Sequence, residues 1–229
     1  MNGEPCETPR NGSRVGFESL RNLKSMTAPV NTDTRTTSHL LYLHGFRSSP
    51  LSTKAKMTAQ AVANHFPAVT WLCPALPASP QLAMTQVVDA ISDWPKESMA
   101  IVGSSLGGFY ATWLAETIGC KAVLLNPAVK PARDLANHLG EQTTWQDPNE
   151  HFVFESAYVE QLRLMEVEKI TRPERYFAVI AKGDEVLDWH EMTSHYAGAH
   201  IKLLPGSDHA LSDYAQHLTE VLDFLSLKR

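Results

Sequence analysis

The segment from residue 99 to residue 108, MAIVGSSLGG, joins an apolar run to a serine that is set between glycines. Residues 99–102 are apolar throughout, which is typical of a strand covered on both faces in a parallel sheet. Residues 103–107 have the pattern G-x-S-x-G, and a helical stretch follows directly. A strand, a tight turn and a helix in this order predict a nucleophile elbow that presents the Ser105 hydroxyl at the carboxyl edge of a sheet.

The glycines of this segment are explained by the tightness of such a turn. Side chains two positions before and after the serine would collide, and Gly103 and Gly107 avoid the collision because they have none. The helix that follows directs free N–H groups and a partial positive charge to the same point. We therefore predict that Ser105 is a nucleophile, and that Ser104, at the wrong position of the pattern, is structural.

Short apolar runs alternate with helix-length segments along the chain from residue 40 onward. The runs cover residues 40–43, 69–73, 99–102, 122–125, 176–181 and 199–204, and helices are predicted at 81–92, 109–118 and 211–227. This alternation is typical of α/β proteins with right-handed crossovers. We predict a three-layer sandwich with a mostly parallel sheet of about six strands, the number of apolar runs in the chain.

The chain divides into a leader and one domain. Residues 1–38 are rich in Asn, Ser, Thr and Pro, so we expect a disordered leader followed by a single domain over residues 39–229. Residues 126–175 separate two strands by more than a normal crossover, with helices predicted near 131–139 and 158–167. We interpret this interval as a helical, lid-like insertion.

The composition limits the class of protein. The chain has 229 residues, of which 43% are hydrophobic and 20% are charged, a balance typical of a globular domain with a core. No apolar run approaches the ~20 residues of a membrane helix. The formal charge of −5 argues against a nucleic-acid binder, which would need a basic face. We expect neither a membrane nor a nucleic acid as a partner.

The cysteines and histidines indicate no metal site. Cys6, Cys73 and Cys120 lack the spacing of a disulfide framework or a metal site, and we interpret them as reduced thiols of a cytoplasmic protein. His190 and His195 form H-E-x-x-x-H, one residue longer than the metalloprotease motif, so their side chains would not share a helix face. No metal ion and no cofactor is expected.

A second predicted element of the site follows the first strand. Residues 40–46, LLYLHGF, read as a strand that ends at His44 and enters a loop. We predict that the N–H groups of Phe46 and Leu106 form an oxyanion hole, and that Gly45 lets the backbone approach the substrate oxygen. The His44 side chain precedes the serine in the chain, so we interpret it as a structural hydrogen-bonding group and not as the catalytic base.

The segment after the strand at residues 176–181 contains three carboxylates that could orient a catalytic histidine. Asp184 has the favoured spacing, directly after Gly183. Asp188 is the competing candidate, and Glu185 ranks third. The choice between the two aspartates stays open at this point.

The loop after the last strand, GSDH at residues 206–209, contains the candidate general base. His209 would take the proton of Ser105 and later protonate the leaving group. Serine, acid and histidine occur in this order along the chain, each after a predicted strand. Chance rarely produces this order, and it supports His209 as the general base.

With these residues in view, the chain resembles the YqiA-like small bacterial esterases of the α/β-hydrolase superfamily. The resemblance spans roughly residues 39–227 and rests on LLYLHGFRSSP at 40–50, IVGSSLGGFYATWLAE at 101–116, NPAVKP at 126–131, GDEVLD at 183–188 and DHAL at 208–211. It implies a compact hydrolase, with carboxylesterase activity and thioesterase activity on acyl-CoA. It also implies the triad Ser105, Asp184 and His209.

The sequence therefore predicts a serine esterase or thioesterase that forms an acyl-enzyme with a small-molecule substrate of short-to-medium acyl chain. Four aromatic residues are candidates for the substrate pocket: Phe109, Tyr110, Phe152 and Phe154. Two alternatives stay open. One is another serine hydrolase, such as a lipase, peptidase or perhydrolase, and the other is a non-catalytic binding or receptor protein of the same fold.

Overall fold

A parallel sheet of six strands forms the centre of the fold in the computed structural model, which describes residues 36–228. The strands are β1 (His39–Leu43), β2 (Thr70–Leu72), β3 (Met99–Ser104), β4 (Lys121–Leu125), β7 (Tyr176–Ala181) and β8 (His200–Leu204). Their order across the sheet is β2-β1-β3-β4-β7-β8, and all neighbours are parallel. The predicted α/β class and the predicted strand number are confirmed.

Seven α-helices connect these strands in the described part of the chain. They are α1 (Thr53–His65), α2 (Pro80–Ala90), α3 (Leu106–Ile118), α4 (Pro131–Asp134), α5 (Ser156–Arg163), α6 (Trp189–His195) and α7 (Leu218–Leu225). None of them is both long enough and apolar enough to cross a membrane.

The helices cover both faces of the sheet because successive strand side chains point to opposite faces. In β1, Leu41 and Leu43 pack into one core with α2, α3 and α6, whereas Leu40 and Tyr42 pack into a second core with α1 and α7. The central strands β3 and β7 are buried along their whole length. This explains why they read as unbroken apolar runs, and it establishes the three layers.

The interval 126–175 differs in part from its prediction. It contains an antiparallel hairpin, β5 (Gly140–Thr143) and β6 (His151–Phe154), between α4 and α5. The helix predicted at 131–139 ends at Asp134 and continues only as a 3₁₀ turn, Leu135–His138. The hairpin escaped detection because β5 reads Gly-Glu-Gln-Thr, with no apolar alternation to mark a strand.

The C-terminal helix is shorter than the predicted stretch of 211–227. Leu211 has a φ of 49°, outside the helical region, and a 3₁₀ turn, Tyr214–Gln216, precedes α7. Leu211 and Tyr214 are nevertheless buried in the second core, so the apolar stripe was a correct sign of packing, although the backbone there is not α-helical.

Thr37 connects the two ends of the described chain. It forms a β-bridge with Leu227, and its hydroxyl donates to the carbonyl of Leu225 at 2.7 Å.

Most of the predicted leader, residues 1–35, lies outside the described residues, as does Cys6. Burial raises the pKa of the Cys73 and Cys120 thiols to about 12, which keeps both protonated.

Candidate active site

The backbone at Ser105 forms a sharp turn between β3 and α3. Ser105 has φ 55° and ψ −121°, a conformation that costs a non-glycine residue about 1–3 kcal/mol. Its N–H donates to the carbonyl of Leu125 at 3.0 Å, and its own carbonyl accepts from the N–H groups of Gly108 and Ala128. These bonds to β4, to the loop after it and to α3 hold the strained residue in place.

The glycines around Ser105 are required by close backbone approaches. A Cβ on Gly107 would lie 2.0 Å from the carbonyl oxygen of Leu43, and one on Gly103 would lie 2.3 Å from the carbonyl oxygen of Gly107. No real Cβ tolerates such distances, so α3 can approach β1 and β3 only with glycine at both positions. The steric reason predicted for these glycines matches the observed contacts.

The structure brings Ser105, His209 and Asp184 into one hydrogen-bonded chain. His209 Nε2 lies 3.0 Å from Ser105 Oγ, and His209 Nδ1 lies 2.8 Å from Asp184 Oδ2. The three residues follow β3, β8 and β7, and they meet because parallel strands present their carboxyl ends at one edge of the sheet. The Asp184 side chain is fully buried, and that of His209 is largely buried.

Asp184 is also oriented by the backbone. Its Oδ1 accepts from the N–H groups of Val186 and Leu187, both at 2.8 Å, which leaves Oδ2 for the imidazole. A carboxylate only accepts, so Nδ1 of His209 carries the hydrogen and Nε2 can accept from the Ser105 hydroxyl. This tautomer suits a base that removes the serine proton.

Asp188, the competing acid, lies elsewhere. Its side chain caps the N-terminus of α6 by accepting from the His190 N–H at 2.8 Å. The hydrogen bonds from the His190 N–H and from the His190 imidazole hold the pKa of the Asp188 carboxyl below its usual value. The geometry therefore favours Asp184 as the partner of His209.

Three side chains hold the backbone of the His209 loop, a role that sequence reasoning did not predict for any of them. Asn126 Nδ2 donates to the carbonyls of Asp208 and His209 at 2.9 and 3.2 Å. Glu185 accepts from the His209 N–H at 3.0 Å, and the Lys54 amine donates to the carbonyl of Ala210. In the sequence, Asn126 follows the fourth predicted strand and begins the segment NPAVKP that the family resemblance includes, but neither feature indicates these contacts.

Asn126 also reaches the loop that carries the acid. Its Oδ1 accepts from the Ala181 N–H at 2.8 Å, at the end of β7, while its backbone has a φ of 41°. One fully buried amide thus joins the carboxyl end of β4 to the loops of both Asp184 and His209.

The predicted oxyanion donors lie beside Ser105. Leu106 is the first residue of α3, where a backbone N–H has no partner within the helix. A Cβ on Gly45 would lie 3.1 Å from Ser105 Cβ and 3.6 Å from Ser105 Oγ, so the loop that contains Phe46 passes directly over the serine. Leu106 and the Gly45–Phe46 loop are thus next to Ser105, the arrangement on which the predicted oxyanion hole depends.

His44 fixes the beginning of this loop. Its Nε2 accepts from the Leu76 N–H at 3.2 Å, and its Nδ1 lies 3.1 Å from the Gly45 carbonyl. Since Nε2 accepts, the hydrogen of the neutral ring is on Nδ1, which donates to Gly45. Burial lowers the pKa of His44 and favours this neutral form. The contacts agree with a structural role.

Two cavities meet at the loop of residues 44–48. The first, which we call the serine cavity, has a volume of about 410 Å³, and its lining includes Ser105, His209, Lys54, Glu185, Trp145 and Val186. The second, which we call the aromatic cavity, has a volume of about 210 Å³, and its lining includes Phe46, Leu76, Pro77, Leu106, Tyr110 and Phe152. Gly45 and Phe46 line both cavities.

The four aromatic candidates for the substrate pocket separate into two pairs. Tyr110 and Phe152 line the aromatic cavity. Phe109 and Phe154 are buried core residues, exposed by 4% and 1%, and belong to the lining of neither cavity. Phe154 supports Phe46 from behind, with ring centroids 5.2 Å apart.

The arrangement at this edge of the sheet is a serine hydroxyl hydrogen-bonded to a histidine, which is in turn hydrogen-bonded to a carboxylate. Residues 36–228 contain no cluster of three or more His, Cys, Asp or Glu side chains that could hold a metal ion.

Comparison with known families gives one match. Residues 39–226 match the family described as "Uncharacterised protein family (UPF0227)". The matched region contains all three members of the hydrogen-bonded chain, and it confirms the resemblance noted from the sequence.

Solved structures of α/β-hydrolases have the same fold. Alpha/beta hydrolase domain-containing protein 10 from mouse has a TM-score of 0.63 at 13% identity, covering 84% of this chain and 92% of its own. Est1E from Butyrivibrio proteoclasticus, solved with ferulic acid, has a TM-score of 0.61 at 15% identity, covering 86% and 89%. An esterase domain from a Rhodothermus marinus protein has a TM-score of 0.56 at 20% identity, covering 83% and 86%. At such identities the likeness shows the fold alone.

Proposed function

We propose that this chain, which belongs to the UPF0227 family of YqiA-like proteins, is a serine hydrolase that cleaves carboxylic esters or thioesters through an acyl-enzyme. The observation that carries the proposal is the hydrogen-bonded chain from Ser105 through His209 to Asp184, with distances of 3.0 and 2.8 Å. An ordinary surface serine does not contact a histidine whose other ring nitrogen is bonded to a fully buried carboxylate.

In the first half of the reaction, Ser105 Oγ attacks the substrate carbonyl carbon while His209 Nε2 takes the hydroxyl proton. The N–H groups of Phe46 and Leu106 stabilise the oxyanion that forms. Asp184 stabilises the imidazolium. The bond to the leaving group then breaks, and His209 returns the proton to the leaving oxygen or sulfur.

In the second half, water attacks the acyl-enzyme. His209 takes a proton from the water, the second tetrahedral intermediate forms at the same N–H groups, and the bond to Ser105 Oγ breaks as His209 returns the proton to it. The products are a carboxylic acid and an alcohol or thiol. The small aromatic cavity supports acyl groups of short-to-medium length, and the four predicted aromatic candidates contribute Tyr110 and Phe152 to its lining.

Labelling with a fluorophosphonate probe tests the proposal, because only an activated serine reacts readily with it. We expect the wild-type chain to be labelled and Ser105→Ala to lose labelling and ester hydrolysis together while it stays folded. Ser92→Ala, at an exposed serine that donates only to the Asp89 carbonyl, is the matched control and should label normally.

Absence of labelling in the folded wild-type chain would favour a binding protein with an inactive site. Hydrolysis that survives in Ser105→Ala would reject the nucleophile. A panel of p-nitrophenyl esters and acyl-CoA thioesters of increasing length then measures the acyl preference, and a preference for long chains would contradict the short-to-medium expectation.

A further inference from the structure

Lys54 is a cation of the serine cavity that the mechanism does not use. It lies in the first turn of α1, and its amine donates to the carbonyl of Ala210, the residue after His209. Lys54, Ser105 and His209 line the same cavity. None of the ion pairs found within residues 36–228 includes Lys54.

Asp184 and Asp208, the two carboxylates whose charges act on Lys54, are hydrogen-bonded to other groups. Asp184 binds His209 and two backbone N–H groups, and Asp208 accepts from the N–H and hydroxyl of Ser212. Burial lowers the pKa of Lys54 to about 8 in spite of both charges, so the ammonium is poorly compensated for the water that it has lost. An anion placed in the cavity would supply that compensation.

The serine cavity is on the leaving-group side of the site. When the tetrahedral intermediate collapses, His209 Nε2 must reach the leaving atom to protonate it, so the leaving group lies beside His209. His209 lines the serine cavity and is not among the residues that line the aromatic cavity. The acyl group then extends toward the aromatic cavity, which shares Gly45 and Phe46 with the lining of the serine cavity.

Glu185 is the carboxylate that lines the serine cavity with Lys54. Its Oε2 accepts from the His209 N–H at 3.0 Å, so part of its charge is directed to the backbone. The amine of Lys54 is the cationic group that lines this cavity, and the exposed apolar side chains of Trp145 and Val186 offer no competing charge.

Resting on the proposed function, we propose that Lys54 is a specificity-determining residue that binds an anionic group, such as a carboxylate, on the leaving alcohol or thiol. The preferred substrates are then esters or thioesters of a small acyl group with an anionic leaving group. In the step concerned, the bond from the carbonyl carbon to the leaving atom breaks, that atom receives the proton of His209, and the anion stays beside the ammonium until the product departs.

A matched pair of acetyl esters tests this assignment. The probes are 4-acetoxybenzoate, whose leaving phenol carries a carboxylate, and its methyl ester, which is neutral. The quantity measured is kcat/KM for 4-acetoxybenzoate divided by kcat/KM for its methyl ester. Effects common to both esters cancel in this ratio. We expect this ratio to fall about tenfold in Lys54→Met, the size of effect expected for one partly desolvated charge pair. Lys54→Arg should keep most of the ratio.

Lys56→Met is the control, because Lys56 is an exposed lysine of the same helix, and its ratio should equal that of the wild type. An equal ratio in wild type and Lys54→Met overturns the assignment, and so does an equal loss for both esters, which would show that Lys54 acts only through the Ala210 carbonyl. Hydrolysis of both esters that persists in Ser105→Ala would instead reject the proposed function.

Discussion

Asn126 is fully buried, yet every polar group of its side chain has a partner. A loop without regular structure must still satisfy its backbone carbonyls, and the carbonyls of Asp208 and His209 are satisfied by this amide. Its oxygen meanwhile accepts from the Ala181 N–H. An amide is the side chain that can donate to two carbonyls and accept from an N–H at one position, which makes Asn126 a positioning residue for His209.

We predict that Asn126→Asp lowers kcat by about ten- to a hundredfold with a much smaller change in KM, because the donors to the His209 loop are lost and a small displacement of the base suffices to slow the reaction. Steady-state kinetics measures kcat and KM, and denaturant unfolding measures the fraction of each variant that is folded. Asn137→Asp, at an exposed residue of the 3₁₀ turn, is the control with the same change of charge. A loss of activity that only follows the unfolded fraction would contradict a positioning role.

The two aspartates near His209 in the sequence can be separated by one pair of variants. We predict that Asp184→Asn lowers kcat by about 10⁴-fold, because an amide no longer holds the imidazole in the required tautomer. Asp188→Asn should retain near-normal activity, since asparagine caps a helix about as well as aspartate. Both are measured by ester hydrolysis. Collapse of activity in Asp188→Asn alone would transfer the role of the acid to Asp188.

The hairpin of β5 and β6 is joined to the loop that supplies the predicted oxyanion donor. Arg47 Nε donates to the Thr143 carbonyl at 2.6 Å, and the Trp145 N–H donates to the Arg47 carbonyl at 2.8 Å. The Arg47 guanidinium also stacks on the Trp145 ring at 4.1 Å. Phe46, the residue before Arg47, packs edge-on against Phe152 of the hairpin. The hairpin therefore forms one wall of both cavities, as a lid-like element would.

We predict that Arg47→Met loosens this hairpin, because two hydrogen bonds from Arg47 to Thr143 and the ring contact are lost. The expected result is faster amide exchange in β5 and β6 and a KM raised by several-fold, measured by hydrogen exchange and by kinetics. Arg163→Met is the control, since Arg163 is an exposed residue at the end of α5 that pairs with Glu160. Unchanged exchange in β5 and β6 would show that Arg47 does not hold the hairpin.

At the scale of the elements, the buried strands were predicted with more accurate bounds than the exposed ones. The run at residues 176–181 became β7 with the same bounds, because a strand buried on both faces has no polar position. The exposed hairpin and the short edge strand β2, Thr70–Leu72, were missed or overextended. These short segments combine exposed polar positions with a few buried ones such as Phe154, so their sequences carry little of the pattern on which such predictions rest.

At the scale of the whole molecule, Thr37 and the C-terminal segment close the fold together. The Thr37 N–H donates to the Ser226 carbonyl and the Lys228 N–H donates to the Thr37 carbonyl, both at 2.8 Å. The Thr37 side chain is buried beside Leu225 of α7. The segment before β1 is thereby packed against the last helix.

We predict that Thr37→Val lowers the free energy of unfolding by about 1–2 kcal/mol, because the shape is kept while the buried Leu225 carbonyl loses its hydroxyl donor. Thr36→Val, at the exposed neighbouring threonine, should change it by less than about 0.5 kcal/mol. Denaturant unfolding of the full chain measures both. Equal stabilities of the two variants would show that this hydrogen bond contributes nothing to the closure of the fold.

The sequence by itself determined the layered α/β architecture, the elbow at Ser105 and the order of serine, acid and histidine, because these features depend on neighbouring residues and on strand periodicity. The sequence favoured Asp184 over Asp188, but only the tertiary structure shows that Asp184 meets His209 and that Asn126 and Lys54 hold the His209 loop. Those contacts join residues 25 to 156 positions apart. No local pattern encodes such pairs, since they exist only after the parallel strands have brought their carboxyl ends to one edge.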